Sequence, residues 1–138
     1  MKTHNFTLSA AVLCTALLSA TAAHAQHPAL QKAGDVYYVC GGIGIDESTA
    51  MRAAMKDYPL SLLFATRSGD YLAKIQVVIE GEKGAQVGQF QAQGPVCLVR
   101  LGAGRYTVKA SAEGGKTIDH SVEVAPAGTP GKTLDYRF

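Results

Sequence analysis

The chain has 138 residues, which suits one domain with a single hydrophobic core and leaves no room for two. Its formal net charge is only +2, so it lacks the strong positive field with which proteins hold nucleic acid. Charged residues make up 17% of the chain and tryptophan is absent, so we expect a surface of mostly small and uncharged polar side chains.

The N-terminus has the pattern of a secretory signal peptide. A mildly positive start precedes a nearly uninterrupted apolar run over residues 6–20, and the Ala-His-Ala sequence at 23–25 is the small-x-small pattern that signal peptidase cleaves. We therefore predict a signal peptide at 1–25, cleavage after Ala25, and a periplasmic or secreted protein without a membrane anchor. Two alternatives stay open: the apolar run is retained as an anchor, although it is short for a bilayer, or Cys14 is lipidated.

Cleavage would leave a mobile N-terminal segment at 26–35 and one domain at 36–138. This domain contains two cysteines, Cys40 and Cys97, each within an apolar stretch. In an oxidising compartment a disulfide is the simplest interpretation, and closing this long loop would stabilise the fold by about 3 to 4 kcal/mol. The alternative is a pair of buried free thiols that pack as small apolar groups.

A helix is the first element whose pattern is clear. The stretch from 46 to 58 begins with Asp46 as the predicted N-cap, and Pro59 ends the helix. A spacing of three and four residues places the apolar side chains on one face, which we expect to pack on the core. The members of that face are Ala50, Met51, Ala54, Met55 and Tyr58.

Three glycines at 41–44 come directly before this helix, where proteins often bind phosphate. The dinucleotide fingerprint fails here because Glu47 stands where the third glycine should be. Asp46 and Glu47 also bring negative charge to the end of the helix that would face a phosphate. We interpret Gly42 and Gly44 as conformational, and we keep Gly42, Gly44, Asp46 and Glu47 as a candidate binding loop.

After the helix the period of the apolar pattern changes from 3.6 to 2, which indicates strands. Glycine marks nearly every connection between these strands, as is typical of hairpin turns. Short strands at intervals of about ten residues predict a mainly β, antiparallel sandwich with one short helix. The seven predicted strands are 60–66, 71–80, 85–93, 95–101, 105–112, 117–124 and 133–138.

Candidate chemistry is sparse. His27 and His120 are the only histidines after the signal peptide, so no single element carries a pair of histidines that could bind zinc. A zinc site would require Cys40, Cys97, His120 and a carboxylate to converge. Residues 119–121, Asp-His-Ser, have the side chains of a hydrolytic triad, but neighbours on a strand point to opposite faces. We therefore predict no catalytic residue, no metal and no cofactor, and we expect His120 in the core or at its edge.

Three arginines, Arg100, Arg105 and Arg137, lie on or beside predicted strands. They would form a small basic patch if these strands were adjacent. Otherwise they are separate, solvated side chains.

The stretch from 99 to 124, VRLGAGRYTVKASAEGGKTIDHSVEV, resembles the carboxypeptidase regulatory-like domains, which are transthyretin-like sandwiches. In that family a strand and a short turn precede G-x-Y-x-V, a second glycine turn and a final strand. Gly102 departs from the family because it stands where proline is usual. The positions that match are Leu101, Gly104, Tyr106, Val108, Ala112 and Gly114.

The section from Tyr71 onward is similar to the first hairpin of such domains, so the resemblance covers 71–124, and the helix with its glycines at 41–58 is an addition. The chain is also similar to small exported proteobacterial proteins that consist of this domain and whose function is not established. The resemblance implies a transthyretin-like or immunoglobulin-like sandwich that acts as a non-enzymatic accessory or binding module for a protein or envelope component.

Two further functions stay open. The transthyretin-like fold includes the 5-hydroxyisourate hydrolases, which end in Tyr-Arg-Gly-Ser, whereas this chain ends Tyr136-Arg137-Phe138 and would rely on His120 and Arg105. The other alternative is a periplasmic inhibitor or an envelope assembly factor.

Overall fold

The computed structural model describes residues 28–138. The predicted signal peptide at 1–25, its cleavage after Ala25, the anchor and Cys14 alternatives, and His27 lie outside the described residues. Within 28–138, no helix combines the length and the apolar character needed to cross a membrane.

The described residues form nine strands, one α-helix and one 3-10 helix. The α-helix α1 spans Ile45–Ala54, and the 3-10 helix Met55–Asp57 follows it directly. The strands are β1 Gln31–Ala33, β2 Val36–Gly41, β3 Leu60–Ala65, β4 Ile75–Gly81, β5 Gln86–Ala92, β6 Val96–Arg100, β7 Gly104–Ser111, β8 Thr117–Val124 and β9 Lys132–Arg137.

These strands form two sheets, so the predicted β-sandwich is confirmed. Sheet 1 has the order β1-β2-β6-β3-β9 and sheet 2 has the order β5-β4-β7-β8. All neighbours run antiparallel except β3 and β9, which are parallel. The seven strands predicted after the helix are all present as β3 to β9, and the two strands before the helix raise the number to nine.

The core lies between the two sheets because every second side chain of a strand points inward. Leu60, Leu62 and Phe64 on β3 face Val77 and Ile79 on β4, and all five are buried. Tyr136 on β9 is also fully buried, and its hydroxyl donates a hydrogen bond to the Val108 carbonyl of sheet 2 at 2.8 Å. This bond joins the sheets, and burial raises the pKa of the Tyr136 hydroxyl above its ordinary value.

Helix α1 packs on the outer face of sheet 1, and four of the five residues predicted for its apolar face pack there. Ala50 is not part of this cluster, and α1 ends at Ala54 and not at Tyr58. Met51 is buried, and Ala54, Met55 and Tyr58 pack with it against one apolar cluster. Four strand residues of sheet 1 complete the cluster: Val39, Leu63, Val96 and Leu98.

The N-cap prediction is wrong by two residues. The cap is Gly44, whose carbonyl accepts a hydrogen bond from the Ser48 amide at 2.8 Å, so the chain is already helical at Ile45. Asp46 and Glu47 lie in the first turn instead, where a carboxylate interacts favourably with the helix dipole without capping it.

The predicted disulfide is confirmed. Cys40 on β2 and Cys97 on β6 lie directly opposite each other, with 4.2 Å between their Cα atoms, and their sulfurs are bonded. Both side chains point into the sandwich, and Cys97 is fully buried. The free-thiol alternative is therefore wrong, and neither sulfur is a thiolate that could bind zinc.

Part of the segment that we predicted to be mobile forms strand β1. The hydroxyl of Tyr38 donates to the Gln31 side-chain oxygen at 2.8 Å, and the Asp35 amide donates to the Val87 carbonyl of sheet 2 at 2.8 Å. The turn between β1 and β2 therefore contacts β5. Three residues are too few to show an alternating pattern, so this strand could not be predicted from the apolar period.

Candidate functional site

The candidate binding loop is explained by packing. Gly42 has a φ of +93°, which a side chain rarely tolerates, and it is buried. A Cβ on Gly41 would lie 2.9 Å from the Met51 sulfur. The glycines therefore let the chain leave β2 beneath α1, as the conformational interpretation expects, while Gly44, Asp46 and Glu47 form the start of the helix.

The structure does not bring Arg100, Arg105 and Arg137 together. Strand β6 belongs to sheet 1 and β7 to sheet 2, so the first two arginines lie in different layers. Arg137 is opposite Ala65 at the far end of β3, whereas Arg100 follows Val99, which pairs with Leu60 at the near end.

Two of these arginines are paired locally with carboxylates. Arg105 lies 3.9 Å from Glu123, and both side chains are exposed. Arg137 donates two hydrogen bonds to Asp135, at 2.9 and 3.0 Å, and this carboxylate raises the pKa of the guanidinium. Exposed pairs of this kind contribute little to stability.

The Asp-His-Ser stretch at 119–121 does not form a triad. His120 is half-buried and its ring meets the Tyr136 ring edge-on, with 4.6 Å between the centroids. Asp119 and Ser121 are exposed on the opposite face of β8. Arg105 also lies on that outer face. It is three residues from Val108 on β7, so its side chain points to the face opposite Val108 and its partner His120.

Among residues 28–138, no group of three or more His, Cys, Asp or Glu side chains is close enough to hold a metal ion.

One depression in the described surface is a groove that our sequence predictions did not include. It has a volume of about 1100 Å³ and lies at one end of the sandwich. Three connections form its walls: residues 55–59 after α1, residues 100–103 between β6 and β7, and residues 125–131 between β8 and β9. We call it the end groove.

The lining of the end groove contains a stacked pair. The guanidinium of Arg100 lies over the ring of Tyr58, 4.7 Å from its centroid, which is within the range of a cation–π interaction. Tyr58 is held in place because it packs against the apolar cluster under α1. The contact places the charged end of Arg100 against the ring of Tyr58 within the lining of the groove.

The walls of the groove are mainly apolar. Their charged side chains are Lys56, Asp57 and Arg100, so the lining carries one more positive than negative charge. Several small or rigid apolar side chains complete the lining, including Leu101, Ala103, Ala125, Pro126, Ala127 and Pro130.

Hydrogen bonds fix all three walls. The Tyr106 hydroxyl donates to the Gly102 carbonyl at 2.8 Å and thereby ties the β6–β7 connection to β7, in the manner of a tyrosine corner. The Lys132 amide donates to the Pro59 carbonyl at 2.9 Å, which joins the other two walls. A Cβ at Gly131 would overlap the Tyr58 carbonyl, so only glycine permits this close approach. The groove is therefore largely pre-formed.

One sequence signal pointed toward this site. The stretch Ala-Pro-Ala-Gly-Thr-Pro-Gly at 125–131 is the longest connection after β4 without regular structure, and such loops often carry binding residues. The sequence alone does not show that this loop, Tyr58 and Arg100 meet, because their proximity depends on the strand order.

Comparison of the chain with protein-family models, with curated proteins and with solved structures found no match. The resemblance to carboxypeptidase regulatory-like domains therefore stays a prediction.

Proposed function

We propose that this chain is an exported, non-enzymatic binding module, and that the end groove holds an extended segment of a partner protein. The observation that carries the proposal is the Arg100–Tyr58 stack in the lining of a pre-formed, mainly apolar groove. Binding sites commonly combine apolar walls with a few fixed polar groups, and they lie in connections positioned by a rigid scaffold.

Two features of the groove favour an extended polypeptide as the ligand. Its mainly apolar walls come from three separate connections, so an elongated ligand can contact all three. Arg100 and Lys56 outnumber Asp57, so a segment with an acidic side chain or a terminal carboxylate fits best.

Export is supported by two independent features. The N-terminal pattern is that of a signal peptide, and the Cys40–Cys97 disulfide fits an oxidising compartment such as the periplasm. The proposed family, the carboxypeptidase regulatory-like domains, supplies accessory modules of this kind. A periplasmic inhibitor or assembly factor would use the same groove. His120 and Arg105 lie on opposite faces of sheet 2, so no observation favours the hydrolase.

Photo-crosslinking in the native cell tests the proposal. A photoreactive amino acid is introduced at Ala127, in the wall of the groove, and at Lys83, in the exposed β4–β5 turn. We expect a discrete protein adduct at Ala127 and none at Lys83. The variant Arg100→Glu should remove the adduct, while Arg105→Glu on the other sheet should leave it intact. An adduct that both variants leave unchanged would contradict the proposal.

A further inference from the structure

The start of α1 exposes apolar side chains that the fold does not use. Ile43 is 73% exposed and Ile45 is 86% exposed, the two highest values among the large apolar residues described. Tyr71, which contacts the same helix through Arg52, is 57% exposed. Isolated exposed apolar residues are ordinary, but here three lie beside one helix.

The surface around these residues is the side of α1 that faces away from sheet 1. Each residue of an α-helix is rotated by about 100° from the one before it, which places one set of residues on the side opposite Met51. All residues of this set are exposed. The middle of this surface consists of Thr49 and Ala53, whose side chains are small enough to let another helix approach closely. We call this surface the outward face of α1; its members are Ile45, Asp46, Thr49, Arg52 and Ala53.

The charges of the outward face complement themselves under a two-fold axis. Asp46 is in the first turn and Arg52 is in the last turn. If a second copy of the helix is laid antiparallel with Thr49 at the axis, Asp46 of each copy lies opposite Arg52 of the other. Antiparallel alignment also places the positive end of one helix dipole beside the negative end of the second.

Arg52 is already held in one orientation. Its Nη2 donates to the Tyr71 hydroxyl at 3.0 Å, its guanidinium lies 5.4 Å from the Tyr71 ring centroid, and its Nε is 3.4 Å from the Ser48 hydroxyl. A side chain that is ordered before binding loses less conformational entropy when it forms an ion pair. Tyrosine and arginine are also the residues that most often contribute strongly to interfaces.

We propose that two copies of this chain associate through the outward face of α1, with the helices antiparallel about a two-fold axis near Thr49. Ile45 of each copy packs against Ala53 of the other, and Asp46 pairs with Arg52 of the other. A helix of ten residues buries less surface than a standard interface of about 1,600 Å², so the dimer is a weak one.

Sedimentation equilibrium of the purified, oxidised protein tests this proposal without any ligand. We expect a concentration-dependent dimer. Asp46→Arg and Arg52→Asp should each raise the dissociation constant by at least about tenfold, because each replaces two attractive pairs by two repulsive ones. An equimolar mixture of the two variants should dimerise again, because every substituted side chain then faces the opposite charge.

Matched charge reversals in the β4–β5 turn, Glu82→Arg and Lys83→Asp, serve as controls and should leave the dissociation constant unchanged. Ile45→Asp should weaken the dimer without affecting the fold, since the side chain is exposed. A wild-type protein that stays monomeric at all concentrations would overturn the proposal. So would a mixture of Asp46→Arg and Arg52→Asp that dimerises no better than either variant alone.

Discussion

Reduction of the Cys40–Cys97 disulfide should lower the free energy of unfolding by about 4 kcal/mol. The bonded cysteines are 57 residues apart. In the chain-entropy model, closing a loop of that length removes about 14 cal/mol/K of entropy from the unfolded chain, which is about 4 kcal/mol at 25 °C. The effect on the folded state is small, because β2 and β6 remain paired on both sides of the bond.

The assay is urea unfolding with and without reductant, with intact mass used to confirm the redox state. The double variant Cys40→Ala, Cys97→Ala is the control, and its midpoint should not respond to reductant. The slope with urea should rise on reduction, because the unfolded chain expands further without the loop. An unchanged midpoint in protein whose thiols are shown to be reduced would refute this reasoning.

Three further predictions concern single side chains. Burial raises the pKa of Tyr136 above its ordinary 10.0, so the unfolded chain releases the phenolic proton at a lower pH than the folded chain. The contribution of Tyr136 to stability is therefore complete below pH 10 and is lost as the pH rises further. Urea unfolding at pH 9 to 11 should therefore show a smaller loss for Tyr136→Phe than for wild type, while Tyr37→Phe, at an exposed position, should behave like wild type. Gly42→Ala should destabilise the fold by about 1 to 2 kcal/mol, because φ is +93° there, whereas an equal stability to wild type in thermal unfolding would contradict this account. Met51→Ala should cost about 2 to 5 kcal/mol, because it leaves a cavity beneath α1; the exposed Lys56→Ala should change stability by less than about 0.5 kcal/mol in the same measurement.

Local patterns were sufficient to predict most of the fold. Strands β3 to β9 could be predicted because apolar and polar side chains alternate along a strand that has one face on the core. The core face of α1 followed from the 3.6-residue period in the same way. The disulfide followed from two cysteines in apolar stretches, and the register of β2 against β6 makes the bond possible.

The features that were missed depend on contacts between distant parts of the chain. The parallel pairing of β3 with β9 joins Leu60 to Lys132, and no local pattern reports such a pairing. The helix N-cap is Gly44 and not Asp46, because the Gly44 carbonyl already accepts a helical hydrogen bond from the Ser48 amide. The end groove could not be predicted because Arg100 and Tyr58 are distant in the sequence. They meet only through the packing of β6, β3 and α1.

A peptide titration tests whether the end groove is the binding site. The segment that is crosslinked at Ala127 is synthesised as a peptide, and its dissociation constant is measured for wild type, Arg100→Ala and Arg105→Ala. We predict that Arg100→Ala weakens binding by at least about tenfold, as expected for loss of an oriented arginine in an apolar site, and that Arg105→Ala has no effect. Equal affinity of wild type and Arg100→Ala would show that the Arg100–Tyr58 stack does not hold the partner and would contradict the account.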